Sequence, residues 1–370
     1  MENELLYQIA LDFTKGIGNS LAKNLVAYTG SPEAVFKEKS SNLAKIPGIS
    51  HEKVAALTHP QVLKWAEEEL EFIQKHRIKT YFFTDDAYSY RLKECADAPI
   101  MLYGKGDLNL NEKRIISIVG TRTPTDYGKT IVKQFVEDLA KYDPNIIIVS
   151  GLAHGIDVHA HRAALNASLN TFAIPGHGLN TIYPAVHRNI AIEITKQGGL
   201  LTEFHSKIIP DKSNFVRRNR IIAGLCDAVV VVESKKEGGS LITAGFANSY
   251  NRDVFAFPGR SNDVVSAGCN DLIKQNKAAL IENATDLIKY MGWDIVTKQA
   301  EPIQTELFEI LTDSERSIIT LLRENPDGIH VNELSVRLNL TYSTTSSLLL
   351  AMEFKGLVRP IPGGIYKAIR

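Results

Sequence analysis

Residues 213–225 read SNFVRRNRIIAGL, an aromatic and three arginines entering what the pattern predicts to be a helix. At about 100° per residue, a helix starting near Asn214 gathers Ile221, Ile222 and Leu225 on one face with Arg218 among them. It sets Phe215 at the edge of that face and turns Arg217 and Arg220 toward solvent. Lys207 and Lys212 lie just upstream, so five Lys/Arg between His205 and Arg220 face one acid, Asp211, a local balance of +4. Such a cluster can dock an anion, although a solvated helix face carries the same charges. An aromatic among cations is also the composition of a single-stranded nucleic-acid site, where bases stack on the ring and cations follow the backbone. One stacked base is worth ~1–3 kcal/mol, enough for Phe215 to matter.

Three further segments have anion-binding chemistry. SIVGTRTPTDYGK offers Gly120, Thr121 and Arg122 between an apolar run and a helical pattern. There, backbone N–H groups and a helix dipole suit an anion and a guanidinium can grip phosphate in a fork; a plain strand–helix turn with a surface arginine has the same letters. SGLAHGIDVHAHRAALN repeats the arrangement with Gly151 and Gly155, and EGGSLITAGFA offers Gly238, Gly239 and Ser240 as a backbone nest or a helix cap. His154, His159 and His161 invite a metal reading, but residues two apart on a helix point away from each other, which favours structural hydrogen bonds and no metal. Asp157 and His161 are spaced to pair on one helical face. Neither G-x-G-x-x-G, nor a Walker A loop, nor a G-x-S-x-G elbow is present.

These turns need a scaffold, and the pattern supplies one. Short β-branched runs at 114–120, 145–151, 170–176, 228–234 and 253–259 alternate with amphipathic stretches such as DYGKTIVKQFVEDLAKY. That predicts an α/β domain from about residue 79, a parallel sheet covered on both faces, with ligands in the crevice outside the strands' carboxyl ends. Residues 1–75 predict a helical unit whose GIGNSLAKNLV and IPGISHEKVAAL resemble helix-hairpin-helix (SAM-like) turns. A polar linker is expected at 294–311. Residues 312–370, three helices and a hairpin with a Pro-Gly-Gly turn, predict a winged helix. Its third helix has Ser343 to Ser347 but no basic residue before Lys355, which favours a protein or inter-domain contact over groove reading.

Bulk numbers narrow the class. Lys+Arg and Asp+Glu are both 42 in 370 residues, so any polyanion site is a local patch on a neutral protein. Cys95, Cys226 and Cys269 have neither zinc nor disulfide spacing. The N-terminus lacks a secretory pattern, and the apolar stretch IIAGLCDAVVVV is too short for a bilayer. A cytoplasmic protein without a membrane partner is expected.

In order along the chain, GTRTPTDYG, SGLAHGIDVHAH, GLNTIYP, GGLLTEF, SNFVRRNRIIAGL, VVVES…GGSLITA and FPG…GCNDLI resemble the DNA-processing protein A (DprA/Smf) family over roughly residues 79–293. The resemblance implies a Rossmann-like domain that binds single-stranded DNA without a reaction or cofactor. It implies a homodimer that loads the recombinase RecA onto incoming strands in natural transformation, past single-strand-binding protein. It places the phosphate motif on Gly120, Thr121 and Arg122, and the basic-aromatic segment on Lys212, Phe215, Arg218, Asn219 and Arg220; the residue pattern itself adds Arg217 and, as further phosphate contacts, Gly151, Gly239 and Ser240. Val216 stands where the family usually has Pro. The alternative is a phosphoribohydrolase-like enzyme on the same fold, but the turn EGGSLITAGFA lacks the Glu that would serve as its acid–base group.

Overall fold

A computed structural model of the chain describes residues 2–293, 312–325, 328–361 and 363–369. The expected linker, 294–311, lies outside the described residues. The chain divides into two compact units, Met1–Trp293 and Asp294–Arg370.

Six helices open the first unit: α1 (Glu2–Phe13), α2 (Asn19–Thr29), α3 (Pro32–Lys37), α4 (Ser40–Leu43), α5 (His51–Leu57) and α6 (Pro60–His76). The turns ahead of α2 and α5 hold Gly16 and Gly48 at φ of 81° and 85°, a left-handed backbone that glycine adopts without steric cost. Ile9, Leu25, Leu57 and Ile73 form a core that runs on into Phe82, Met101 and Tyr103, so these helices share apolar packing with the sheet that follows.

That sheet is built from β1 (Lys79–Phe82), β2 (Met101–Gly106), β3 (Ile115–Val119), β4 (Ile147–Ser150), β5 (Thr171–Ala173), β6 (Gly198–Thr202), β7 (Ala228–Val231), β8 (Asp253–Ala256) and β9 (Ala279–Leu280). Between and after them run α7 (Tyr90–Lys93), α8 (Asp126–Tyr142), α9 (Ile156–Asn166), α10 (Arg188–Ile194), α11 (Lys212–Gly224), α12 (Gly239–Ser249), α13 (Ala267–Lys274) and α14 (Ala284–Tyr290). The strand order is β1-β2-β6-β5-β4-β3-β7-β8-β9. From β6 to β9 every pairing is parallel, while β2 on β6 and β1 on β2 are antiparallel. The five expected strands are the middle of this sheet. Four more, β1, β2, β6 and β9, were not legible: β6 opens on two glycines, a poor strand signal. A Cβ on Gly198 would lie 2.2 Å from the Thr171 carbonyl oxygen, so that glycine answers a close strand approach.

The central strands are buried along their whole length because both faces are covered. Ile115, Val119, Val149 and Val231 pack against Ile221 and Ile222 of α11 and Ala244 and Ala247 of α12. Ile116, Ile118 and Ile148 point the other way, onto Val132, Phe135 and Leu139 of α8 and Ala160 of α9. Each such side chain contributes about 1.5–3 kcal/mol by burial. From β3 the chain steps to β4, β5 and β6 on one side, and β7 returns to the other side of β3, so the order reverses between β3 and β7. At such a switch point the loops leaving the strands splay apart and open a crevice.

The second unit has α15 (Asp313–Glu324), α16 (Val331–Arg337) and α17 (Tyr342–Phe354) over a three-stranded sheet of β10 (Ile329–His330), β11 (Val358–Ile361) and β12 (Ile365–Ala368). Ile318, Leu334, Leu349 and Met352 fill its core. Thr312 and Glu315 close a reciprocal cap on α15. This is the expected winged helix.

Candidate nucleic-acid interface

The switch-point crevice is a cleft of 960 Å³, and Gly120, Thr121, Arg122, Lys212, Phe215, Arg218, Asn219, Gly239 and Ser240 all line it. Three elements bring them there, the loop after β3, the first turns of α11 and the N-terminus of α12, and the loop after β4 adds Ala153 to the wall.

The loop after β3 is fixed from below and from one side. Thr121 N–H donates to the Glu233 carbonyl at 2.7 Å. The Glu233 side chain, 2% exposed at the end of β7, accepts from Thr125 N–H at 2.9 Å and from Thr125 Oγ1 at 2.5 Å. Thr125 in turn caps α8 by accepting from Gly128 N–H. From the α9 side, Ile156 N–H donates to the Thr121 carbonyl, and Gly155 at φ 82° packs so closely that a Cβ would lie 2.2 Å from that oxygen. Arg122 rides on this clamped turn, exposed, and makes no ion pair among the described residues. The same holds for Lys212 across the cleft.

α11 begins at Lys212, two residues before the sequence suggests, because Asp211 caps it through Ser213 N–H. Arg218 is buried on its inner face, as the helical spacing predicts. Its Nη1 donates to the Gly151 carbonyl at 2.7 Å and its Nε reaches Asn219 Oδ1. Asp157 is the buried counter-charge, and a Cβ on Gly151 would lie 2.6 Å from Asp157 Oδ2 and 2.7 Å from Arg218 Nη2. Burial draws Arg218 down to about 10, with Asp157 opposing and Arg122 adding to the fall, so it stays charged at neutral pH. Burial likewise raises the Asp157 carboxyl, while Arg218 holds it back. Gly151 is buried and does not line the cleft, its carbonyl accepts from Arg218 and its backbone N–H is engaged by Asp157, so the donor that the expected phosphate contact needs is already used. Asp157 turns toward this pair, and His161 bonds Thr171 Oγ1 at 2.7 Å, so the expected Asp157–His161 contact gives way to the deeper cation.

Two arginines depart from expectation. Arg220 is 6% exposed, not solvent-facing: its Nη2 meets Glu203 Oε2 at 2.5 Å and its Nη1 donates to the Asp97 carbonyl. Arg217 keeps a half-exposed side chain but pairs with the same Glu203 oxygen at 2.6 Å and lies over the Phe204 ring. Both line a separate hollow with Asp12, Asp97 and residues 16–19. The helical wheel is right; what covers that flank is a carboxylate from the end of β6 and the N-terminal helices, which no local pattern announces.

Phe215 is partly buried at the cleft rim, and Tyr183 stacks on it with centroids 5.5 Å apart and planes at 30°. The pair presents an extended aromatic surface, for Tyr183 is 52% exposed. His177, fully buried, accepts from Tyr183 N–H at 3.1 Å through Nε2 while Nδ1 donates to the Gly178 carbonyl. Burial keeps it below the usual histidine range, so the neutral ring that this bonding needs is the stable form. No local sequence pattern singles out Tyr183 or His177 for the site. Glu233 was missed too, although a lone acid directly after AVVVV is a usable signal. On α12 the N-cap is Gly238 without a side-chain bond, and Ser240 Oγ donates to Ser234 Oγ instead of capping. Among the described residues, no group of three His, Cys, Asp or Glu could hold a metal, and no helix is long and apolar enough to cross a membrane.

Residues 79–292 match the family described as DNA recombination-mediator protein A, and residues 301–364 match the DprA winged helix domain. Protein Smf of Synechocystis is 31% identical over an alignment of 402 positions that covers 99% of both chains. The DNA processing protein DprA of Streptococcus pneumoniae is 38% identical, over 57% of this chain and 74% of its own. That of Bacillus subtilis is 40% identical, over 55% of this chain and 68% of its own. The X-ray structure of the Streptococcus pneumoniae protein superposes with a TM-score of 0.65 at 32% identity, covering 77% of this chain and 97% of that one. DNA processing protein A from Helicobacter pylori, whose structure was reported for its single-stranded DNA binding mode, superposes at 0.53 with 30% identity, over 59% of this chain and 97% of that one.

Proposed function

Because this chain belongs to the DprA/Smf family of DNA recombination mediators, we propose that its switch-point cleft binds single-stranded DNA without sequence preference. On this reading the protein covers incoming strands in natural transformation and loads RecA onto them, past single-strand-binding protein, acting as a homodimer in the cytoplasm. The cleft has a binding role and no reaction.

The observation that carries the reading is the meeting of two cations in no ion pair among the described residues, Arg122 and Lys212, with the Phe215–Tyr183 stack in one cleft. A phosphate fits against the clamped Gly120–Arg122 backbone, where Arg122 offers a planar fork. The uncapped N-terminus of α12 faces the same space. A base then stacks on the aromatic pair, which a duplex cannot offer without unpairing. Arg218 acts indirectly, by holding α11 to the loop after β4.

The test is titration of the intact protein with labelled single-stranded and duplex DNA over a range of salt. Single strands should bind more tightly, and Arg122→Lys should weaken binding although the charge is kept, because the fork is lost. Equal affinity for both forms, or full affinity with lysine at 122, overturns the reading.

A further inference from the structure

A second cavity, of 770 Å³, opens on the same edge of the sheet and is lined by Thr125, Tyr127, Glu233 and residues 258–260 and 263–266. It is the next station along the strand ends. The cleft draws its walls from the loops after β4, β3 and β7. The second cavity draws its walls from the far part of the loop after β3, the end of β7 and the loop after β8. The clamped segment is the partition: Thr123 lines the cleft and Thr125 lines the cavity. Glu233 lies under it, both carboxylate oxygens engaged by Thr125.

The lining chemistry differs from that of the cleft. Tyr127 is 58% exposed and Val264 68% exposed, with Pro258 and Val265 adding apolar wall. Single exposed apolar residues are ordinary on a protein surface, but here an aromatic and an aliphatic wall line one hollow. The ionic groups free to act are Arg260 and Asp263, neither in an ion pair among the described residues, so with the Glu233 carboxylate held by Thr125 the cavity has one donor fork, one free acceptor and a net charge of −1. That is a poor sink for phosphate and a good one for a nucleobase. A base's flat faces stack on a tyrosine ring, and its edges carry both acceptors and donors. The volume lies within the range of sites that enclose small organic ligands.

We infer that this cavity is a second base subsite, in which Tyr127 stacks a nucleotide of the same single strand after its backbone has crossed the loop bearing Arg122. The inference rests on the reading of the cleft as a single-strand site. It makes the footprint longer than the cleft alone, so a short oligonucleotide fills the cleft and only a longer one reaches Tyr127.

The experiment is fluorescence-anisotropy titration of the intact protein with oligo-dT stepped from about 4 to about 16 residues, the span over which single-strand site sizes vary. Wild type, Tyr127→Ala and Tyr127→Phe are compared. Tyr127→Ala should match wild type on the shortest oligomers and bind the longest about tenfold more weakly. Tyr127→Phe, which keeps the ring, should restore wild-type binding at every length. A loss of equal size at all lengths, or no loss at any length, overturns the subsite while leaving the cleft as a single-strand site. Failure of the wild type to bind any oligomer overturns the reading of the cleft and this inference with it.

Discussion

Glu233 offers the sharpest test of how the cleft is held. Its carboxylate accepts from Thr125 N–H at 2.9 Å and Thr125 Oγ1 at 2.5 Å, and its backbone carbonyl takes Thr121 N–H, so one residue anchors both ends of the turn that bears Arg122. Hydrogen bonds to a charged group contribute about 1.5–3 kcal/mol each. Thr125 is exposed, so water replaces part of what a substitution removes. We expect Glu233→Ala to cost about 3 kcal/mol and Glu233→Gln, which keeps one acceptor, about 1.5 kcal/mol. Two effects on DNA compete. Loosening the turn lets Arg122 wander and weakens binding, whereas deleting a negative charge beside a phosphate site strengthens it. The carboxylate is buried beneath the turn and engaged by Thr125, so positioning should win. Glu233→Gln should then bind single strands roughly tenfold more weakly, equivalent to ~1.4 kcal/mol. Denaturant melts and anisotropy titrations measure the two quantities on the same preparations. In an Arg122→Ala background the effect of Glu233→Gln on affinity should vanish, since it acts through that side chain. Tighter binding by Glu233→Gln, or an undiminished effect in the Arg122→Ala background, refutes the positioning argument.

Arg218→Ala should lower stability by about 3–5 kcal/mol, because it leaves the Asp157 carboxyl and the Gly151 carbonyl buried without their partner; a melt within error of wild type would show that the pair does not hold α11. Arg220→Ala should destabilise by about 3 kcal/mol yet leave single-strand affinity and its salt slope unchanged, since the side chain serves Glu203 and not the cleft; reduced affinity at unchanged stability would return Arg220 to the DNA. Asp12 is raised to about 7, chiefly by burial and further by the Glu203 and Glu69 carboxylates, with Tyr103 and Arg217 opposing. Folded protein thus keeps a proton that the unfolded chain releases above the model-compound value of 3.8, and this group's contribution to stability falls as pH rises from about 4 to about 7. Asp12→Asn should therefore gain stability relative to wild type through that window, by on the order of 2–4 kcal/mol at pH 8, and urea melts at pH 5 and pH 8 that show no larger gain at the higher pH would contradict the assignment.

The alternation of strands and helices, the glycines at strand ends and the inward placement of Arg218 were legible because each depends on periodicity along a single element. Arg218 falls among Ile221, Ile222 and Leu225 on any helical wheel, and the structure buries it there. The family, too, was written in motifs that keep their order along the chain. What lies across a helix was not legible. Arg217 and Arg220 were placed on the right flank, but only folding sets Glu203, from the end of β6, against that flank, where it buries Arg220 in an ion pair and draws the half-exposed Arg217 to the same carboxylate. Tyr183 reaches Phe215 from thirty-two residues away, Glu233 reaches Thr125 from 108 away, and Asp157 meets Arg218 only because β4 and α11 converge at the reversal of strand order. Local sequence determines which residues form an element and which face is apolar, since backbone geometry repeats every few residues. Which charges end up paired and which are left for a ligand depends on contacts between strands far apart in the chain, and only the tertiary structure decides that.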